Sequence, residues 1–91
     1  MAARMTAWVL LVTDGDFQET RPGWALHGVP LPGLRFIGWA GEREVFRTRL
    51  TDAGRAALVL LGEELIPSAW DGSAGSEEAD RRAAGVTRVL D

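Results

Sequence analysis

The stretch "FRTRLTDAGRAALVLLG", Phe46 to Gly62, runs as a strand up to a threonine and then turns into a helix. Thr51 stands where a hydroxyl can accept from an unpaired amide of the first helical turn. Asp52, one residue inside, places a negative charge at the positive end of the helix dipole. Ala53, Ala57, Leu60, Leu61 and Leu65 recur at helical spacing on one side. The run Leu58–Leu61 adds apolar groups around most of the circumference, so the spacing predicts a helix over Thr51–Ile66, buried nearly all round and ended by Pro67. Leu60 is expected in its core.

Upstream of this helix, Leu34–Trp39 and Arg43–Leu50 form the best hairpin candidate. A two-residue Gly41-Glu42 loop suits a type II′ turn, in which glycine supplies positive φ, and it pairs Ile37 with Phe46 and Trp39 with Glu44. A three-residue loop sets Phe36 opposite Phe46 instead, and both registers stay open. In either, "LRFIGW" loads large apolar groups on both faces, as a central strand does or one that faces a partner.

Trp8–Val12 is a short apolar run closed by "TDGD", the pattern of a buried strand. Pro22, Gly23, Gly28, Pro30, Pro32 and Gly33 break the next stretch, leaving room for a short strand within Trp24–Val29 and an extended loop over Val29–Gly33. Beyond Trp70 the composition changes. "DGSAGSEEAD", Asp71–Asp80, reads as a linker passing into an acidic helix start at Ser76, and Val86–Leu90 reads equally as a terminal strand. The domain division is a globular unit over residues 1–70, with 71–91 packing on it or on a partner.

Ninety-one residues make one domain. With 46% hydrophobic and 25% charged residues, the chain belongs with globular proteins rather than disordered ones. Cysteine is absent, which excludes disulfides and thiolate metal sites. Every basic side chain is arginine, and the net charge of -3 argues against a general polyanion binder. The six-residue run Ala7–Val12 is shorter than the about 7–15 residues of a signal-peptide core or the about 20 of a membrane span. A soluble cytoplasmic protein without membrane association is expected.

"TRLTDAGRAAL", Thr48–Leu58, resembles the second wing strand and following helix of MarR-like winged-helix regulators. The resemblance covers 11 of 91 residues. It implies a DNA-binding wing, but in that family several helices precede the wing and one enters the major groove. Here the upstream segment is strand-like or Pro/Gly-broken, so no recognition helix can be placed and no base-reading position is carried over. Within the wing, Arg43, Arg47 and Arg49 are separated by even numbers of residues and fall on one strand face. That stripe suits phosphate contacts, or a solvated face paired with nearby acids.

Catalytic chemistry is thin. His27 is the single histidine, and Thr20 is the nearest hydroxyl in sequence, across a Pro-Gly break. Asp14, Asp16 and Glu19 lie close together, yet the later ligands of a calcium loop are missing and turn chemistry explains Asp-Gly-Asp as well. No phosphate-loop or nucleophile-elbow pattern occurs. No enzyme, cofactor or metal is expected.

Four tryptophans in so short a chain are the remaining signal. Trp8 reads as core, whereas Trp24, Trp39 and Trp70 sit at element edges where interface anchors occur. The expected fold is α+β, an antiparallel sheet of three to four strands packed on one main helix. One helix on one face leaves the other bare, to be closed by the C-terminal segment, a second copy or a partner. The leading expectation is a non-enzymatic protein-binding module or homodimer, with Trp24, Trp39, Arg43, Arg47 and Arg49 as partner-binding residues. Small acidic phage and mobile-element proteins that inhibit host machines, anti-CRISPR proteins among them, share this general style. The alternative is a winged-helix-like nucleic-acid-binding regulator, with duplex DNA the less favoured partner.

Overall fold

The strand Val9–Thr13 is buried at every residue, and the rest of the molecule is arranged on its two faces. A computed structural model describes residues 4–89. Its elements are β1 (Val9–Thr13), β2 (Phe17–Glu19), β3 (Trp24–Leu26), β4 (Val29–Pro30), β5 (Arg35–Ala40), β6 (Arg43–Thr48), α1 (Asp52–Leu60), β7 (Glu64–Pro67) and α2 (Ala74–Ala83). The fold is α+β, with an antiparallel four-stranded sheet in the order β5-β6-β1-β7 and a three-stranded sheet in the order β2-β3-β4.

Alternation along β1 divides the interior in two. Val9 and Leu11 point to one side, where they meet Leu26, Leu31, Leu50 and Leu58 from the small sheet, its loop and α1. Leu10 and Val12 point to the other, against Ile37 and Val45, with Ala84 and Val86 of the C-terminal segment packed over them. The second face of the sheet is therefore covered from within the chain. Leu90, counted with that segment in the sequence reading, lies outside the described residues.

The hairpin contains both expected registers. Next to the turn, Trp39 pairs with Glu44 and Ala40 with Arg43, which is the two-residue loop. Gly41 has φ 65°, the sign a type II′ turn needs at its first central position. A bulge between Phe36 and Gly38 then shifts the ladder, and Phe36 lies opposite Phe46. The bulge explains how Phe36, Ile37 and Trp39 load two faces of one strand. It also leaves the Ile37 carbonyl off the ladder, where Arg81 Nε donates to it at 3.0 Å.

The helix is shorter than its apolar spacing implies. Thr51 caps it as expected, its hydroxyl accepting from the Gly54 amide at 3.0 Å. It stops at Leu60 because Gly62, with φ 86°, reverses the chain. The Glu63 amide donates to the Leu58 carbonyl and the Gly62 amide to that of Val59, the paired bonds of a Schellman end. Glu64–Pro67 then becomes the edge strand β7 against β1, not the last turn of a helix. The expected burial is corrected too: only Gly54 and Leu58 of α1 are buried, whereas Leu60 is 88% exposed.

Two further segments depart from expectation. Val29–Pro30 is a strand rather than loop, because a two-residue His27-Gly28 turn, positive in φ at both positions, folds it back on Ala25–Leu26. The second helix begins before Ser76, since Ser73 is its cap and accepts from the Ser76 amide at 3.1 Å. Within α2, Asp80 is 1% exposed and accepts from the Ser68 hydroxyl at 2.5 Å and the Ala69 amide at 2.6 Å. That carboxylate ties the helix to the end of β7. After α2, the Trp39 amide donates to the Arg88 carbonyl at 2.8 Å, and Thr87 returns a bond to the Trp39 carbonyl at 2.7 Å, so the chain also closes the outer edge of β5.

Candidate binding groove

Four aromatic rings form a continuous ladder on the face of the large sheet that meets the small sheet. Phe46 lies under Phe17 at 4.7 Å between ring centroids and beside Phe36 at 5.4 Å. Phe36 in turn meets Trp39 edge-on at 5.5 Å. The cause is register. Phe46 pairs across the strands with Phe36 and Glu44 with Trp39, and alternation puts Phe46 and Glu44 on one face of β6. Such tilted and edge-to-face pairs bring the positive ring edge to the negative ring face.

Trp24 lines a cleft with three of these rings, Phe17, Phe36 and Phe46. It is the first residue of β3, paired with Glu19, and 44% of its surface is exposed. Two clefts adjoin at Trp24 and Leu34. The larger, about 540 Å³, is walled by Arg21, Pro22, Gly23, Pro30, Pro32 and Gly33. The smaller, about 350 Å³, is walled by Phe17, Phe36 and Phe46 with Glu44. The proline-rich connection thus has a second role beside breaking helix: its fixed φ values hold a rigid apolar wall. Apolar walls with a few polar groups are the usual composition of a ligand cleft.

The residues singled out in the sequence go to different places. Trp24 is in the groove. Trp39 is half-buried at the end of the ladder, with the Arg88 guanidinium 4.9 Å from its ring centroid. Its indole Nε1 is buried and has no hydrogen-bond partner among the described residues. Arg43 is exposed and pairs with Glu64 at 2.9 Å. Arg49 is exposed, donates to the Thr6 carbonyl at 3.2 Å and lies 5.6 Å from the Trp8 ring centroid.

Arg47 is 5% exposed, its guanidinium 3.5 Å from the Trp70 ring centroid and 3.3 Å from a Glu77 carboxylate oxygen. The three arginines share a strand parity, but α2 lies over the middle one. Glu77 also accepts from Arg35 at 3.0 Å and faces Arg81 at 3.5 Å. Burial pushes the Glu77 pKa up, but the Arg35 hydrogen bond and the charges of Arg35, Arg81 and Arg47 outweigh it and hold the carboxyl below its ordinary 4.5.

His27 sits at φ 51° in its turn, with Nε2 2.9 Å from a Glu63 carboxylate oxygen. Among the described residues, no three His, Cys, Asp or Glu side chains gather as a metal site, Asp14, Asp16 and Glu19 included.

Sequence reasoning placed Trp24 in the candidate site but missed Phe17, Leu34, Phe36, Phe46 and Glu44 as its neighbours. Phe36 and Phe46 carried a signal, the three-residue-loop register that paired them. Phe17 and Leu34 carried none, because their meeting depends on how the small sheet lies on the large one.

No protein-family model, curated protein or solved structure matches this chain. Among the described residues, no helix is long and apolar enough to cross a membrane.

Proposed function

We propose that this chain is a non-enzymatic binding module that captures an extended segment of a partner protein in the groove around Trp24. The observation that carries this reading is the half-exposed Trp24 where a proline-walled cleft and an aromatic-walled cleft meet. Tryptophan is enriched among the residues that anchor interfaces. Aromatic and proline surfaces suit extended, proline-bearing segments, which lose little conformational freedom on docking. Small size and acidity favour the inhibitor form of this reading, in which the partner belongs to a host defence complex, in the general style of anti-CRISPR proteins. The nucleic-acid alternative is weakened, because Arg47 of its arginine stripe is engaged inside the protein.

The test is capture from a native host extract with the tagged protein and with Trp24→Ala, followed by mass spectrometry. The Trp24 ring is at the surface, so the variant should keep its fold, checked by thermal melting. Partners retained by the parent and lost by the variant support the groove. An identical partner set in both would overturn it.

A further inference from the structure

The groove is electrically polarised. Of the residues that wall its two clefts, Arg21 is the charged one in the larger and Glu44 the charged one in the smaller. Glu44 is half-buried beside Phe17, Phe36, Phe46 and Trp24. The ion pairs among the described residues use Glu63, Glu64, Glu77 and Glu78, and none uses Glu44. The Glu44 carboxylate thus stands in an aromatic setting without a cation partner among the described residues. Aromatic rings line the same cleft, and the face of an aromatic ring attracts cations as a carboxylate does. Glu19, exposed and paired in register with Trp24, adds a second negative charge on the neighbouring strand.

From this the geometry points to a cation subsite: the cleft of Phe17, Trp24, Phe36, Phe46 and Glu44 receives an arginine side chain of the partner segment. The guanidinium stacks on the rings and donates to the Glu44 carboxylate, while flanking prolines rest on the Pro22, Pro30 and Pro32 wall. Arginine fits better than lysine, because its planar cation combines ring stacking with directed donation to a carboxylate. Arg21 at the far end repels a second cation, which sets the direction in which the segment lies. This inference rests on the groove reading above and specifies its ligand.

Its test uses the intact protein and two blocked pentapeptide probes, Pro-Pro-Arg-Pro-Pro and the same sequence with citrulline, the neutral isostere, in place of arginine. Binding is followed through the backbone amide resonances of the groove residues in low salt. The expected result is roughly tenfold tighter binding of the arginine probe, a preference that shrinks as salt is added. Glu44→Gln should abolish the preference by bringing the arginine probe down to the affinity of the citrulline probe, and Trp24→Ala should weaken both. Equal affinity of the two probes, or no saturable shift with either, overturns the cation subsite. A third arm adds tetramethylammonium chloride; if it saturates the site as tightly as the arginine probe, the cleft takes a free cation and the assignment to a partner segment fails. The two readings separate in the extract experiment. Capture that depends on Trp24 but is untouched by Glu44→Gln removes the subsite and leaves the groove.

Discussion

The Arg47 guanidinium lies 3.5 Å from the Trp70 ring centroid, and this contact joins the end of β6, of which Arg47 is the next-to-last residue, to the chain between β7 and α2. The same guanidinium is 3.3 Å from Glu77 on α2 and 5.6 Å from the Trp8 ring centroid. One buried arginine therefore fastens the C-terminal segment to the sheet through stacking and charge together. Arg47→Ala should lower stability by about 2–4 kcal/mol, because Glu77 keeps Arg35 and Arg81 but loses its most buried partner. Chemical denaturation measures this, with tryptophan fluorescence reporting the change around Trp70.

Leu58 and Leu60 stand two residues apart on α1, yet one is fully buried and the other 88% exposed. Leu58→Asp should cost about 4 kcal/mol or more and leave little folded protein, since it buries a carboxylate without a partner. Leu60→Asp should stay within about 0.5 kcal/mol of the parent. Thermal melts of the pair decide the orientation of the helix, and a Leu60→Asp variant that fails to fold would reverse it.

Acid should weaken the contact between α2 and the sheet. The Glu77 carboxyl is held below its ordinary 4.5 in the folded state, so its contribution is present above that value and is lost as pH falls through the folded pKa. Glu77→Gln should be less stable than the parent at neutral pH, and the gap should close as pH falls below 4.5 through the folded pKa. Denaturation midpoints across a pH series give the answer. A gap that stays constant would mean that the charge of Glu77 contributes nothing.

Gly38 and Gly75 form a matched test of packing against propensity. A Cβ at Gly38, where φ is 145°, would stand 2.6 Å from Val86 Cγ1 and 2.8 Å from the Arg88 carbonyl oxygen. Gly38→Ala should cost about 1–3 kcal/mol by straining the backbone and pushing the terminal segment off β5. A Cβ at Gly75 meets nothing within 4 Å in a helical position. Gly75→Ala should stabilise by up to about 1 kcal/mol. Melting temperatures of opposite sign would bear out both placements.

Duplex DNA should not be bound sequence-selectively at near-physiological salt. The net charge is -3, Arg47 is engaged within the protein and Arg43 is paired with Glu64. Fluorescence anisotropy over a salt series measures this. Tight selective binding, with affinity falling steeply as salt rises, would restore the wing reading.

Much of the fold was legible because its signals are local. The apolar run ending in "TDGD" specified β1, Thr51 specified the start of α1, and Gly41-Glu42 specified the turn between β5 and β6. Each depends on a few neighbouring residues and on backbone chemistry that works in any context. Gly62 was a local signal as well, a helix stop that apolar spacing alone overrode. The two candidate hairpin registers were each right for part of the strand, since a bulge lets one ladder hold both.

The tertiary structure alone decided which apolar residues are core and where the groove lies. Leu58 and Leu60 are equally hydrophobic, and only the place where α1 meets the small sheet distinguishes them. The arginine stripe was correct in parity, but parity says which face a side chain takes and not what covers that face; α2, far along the chain, does that over Arg47. Phe17, Leu34 and Glu44 meet at Trp24 because the small sheet packs on the large one. Burial and site formation are properties of contacts between distant segments, and a short stretch of sequence carries no record of what will be laid against it.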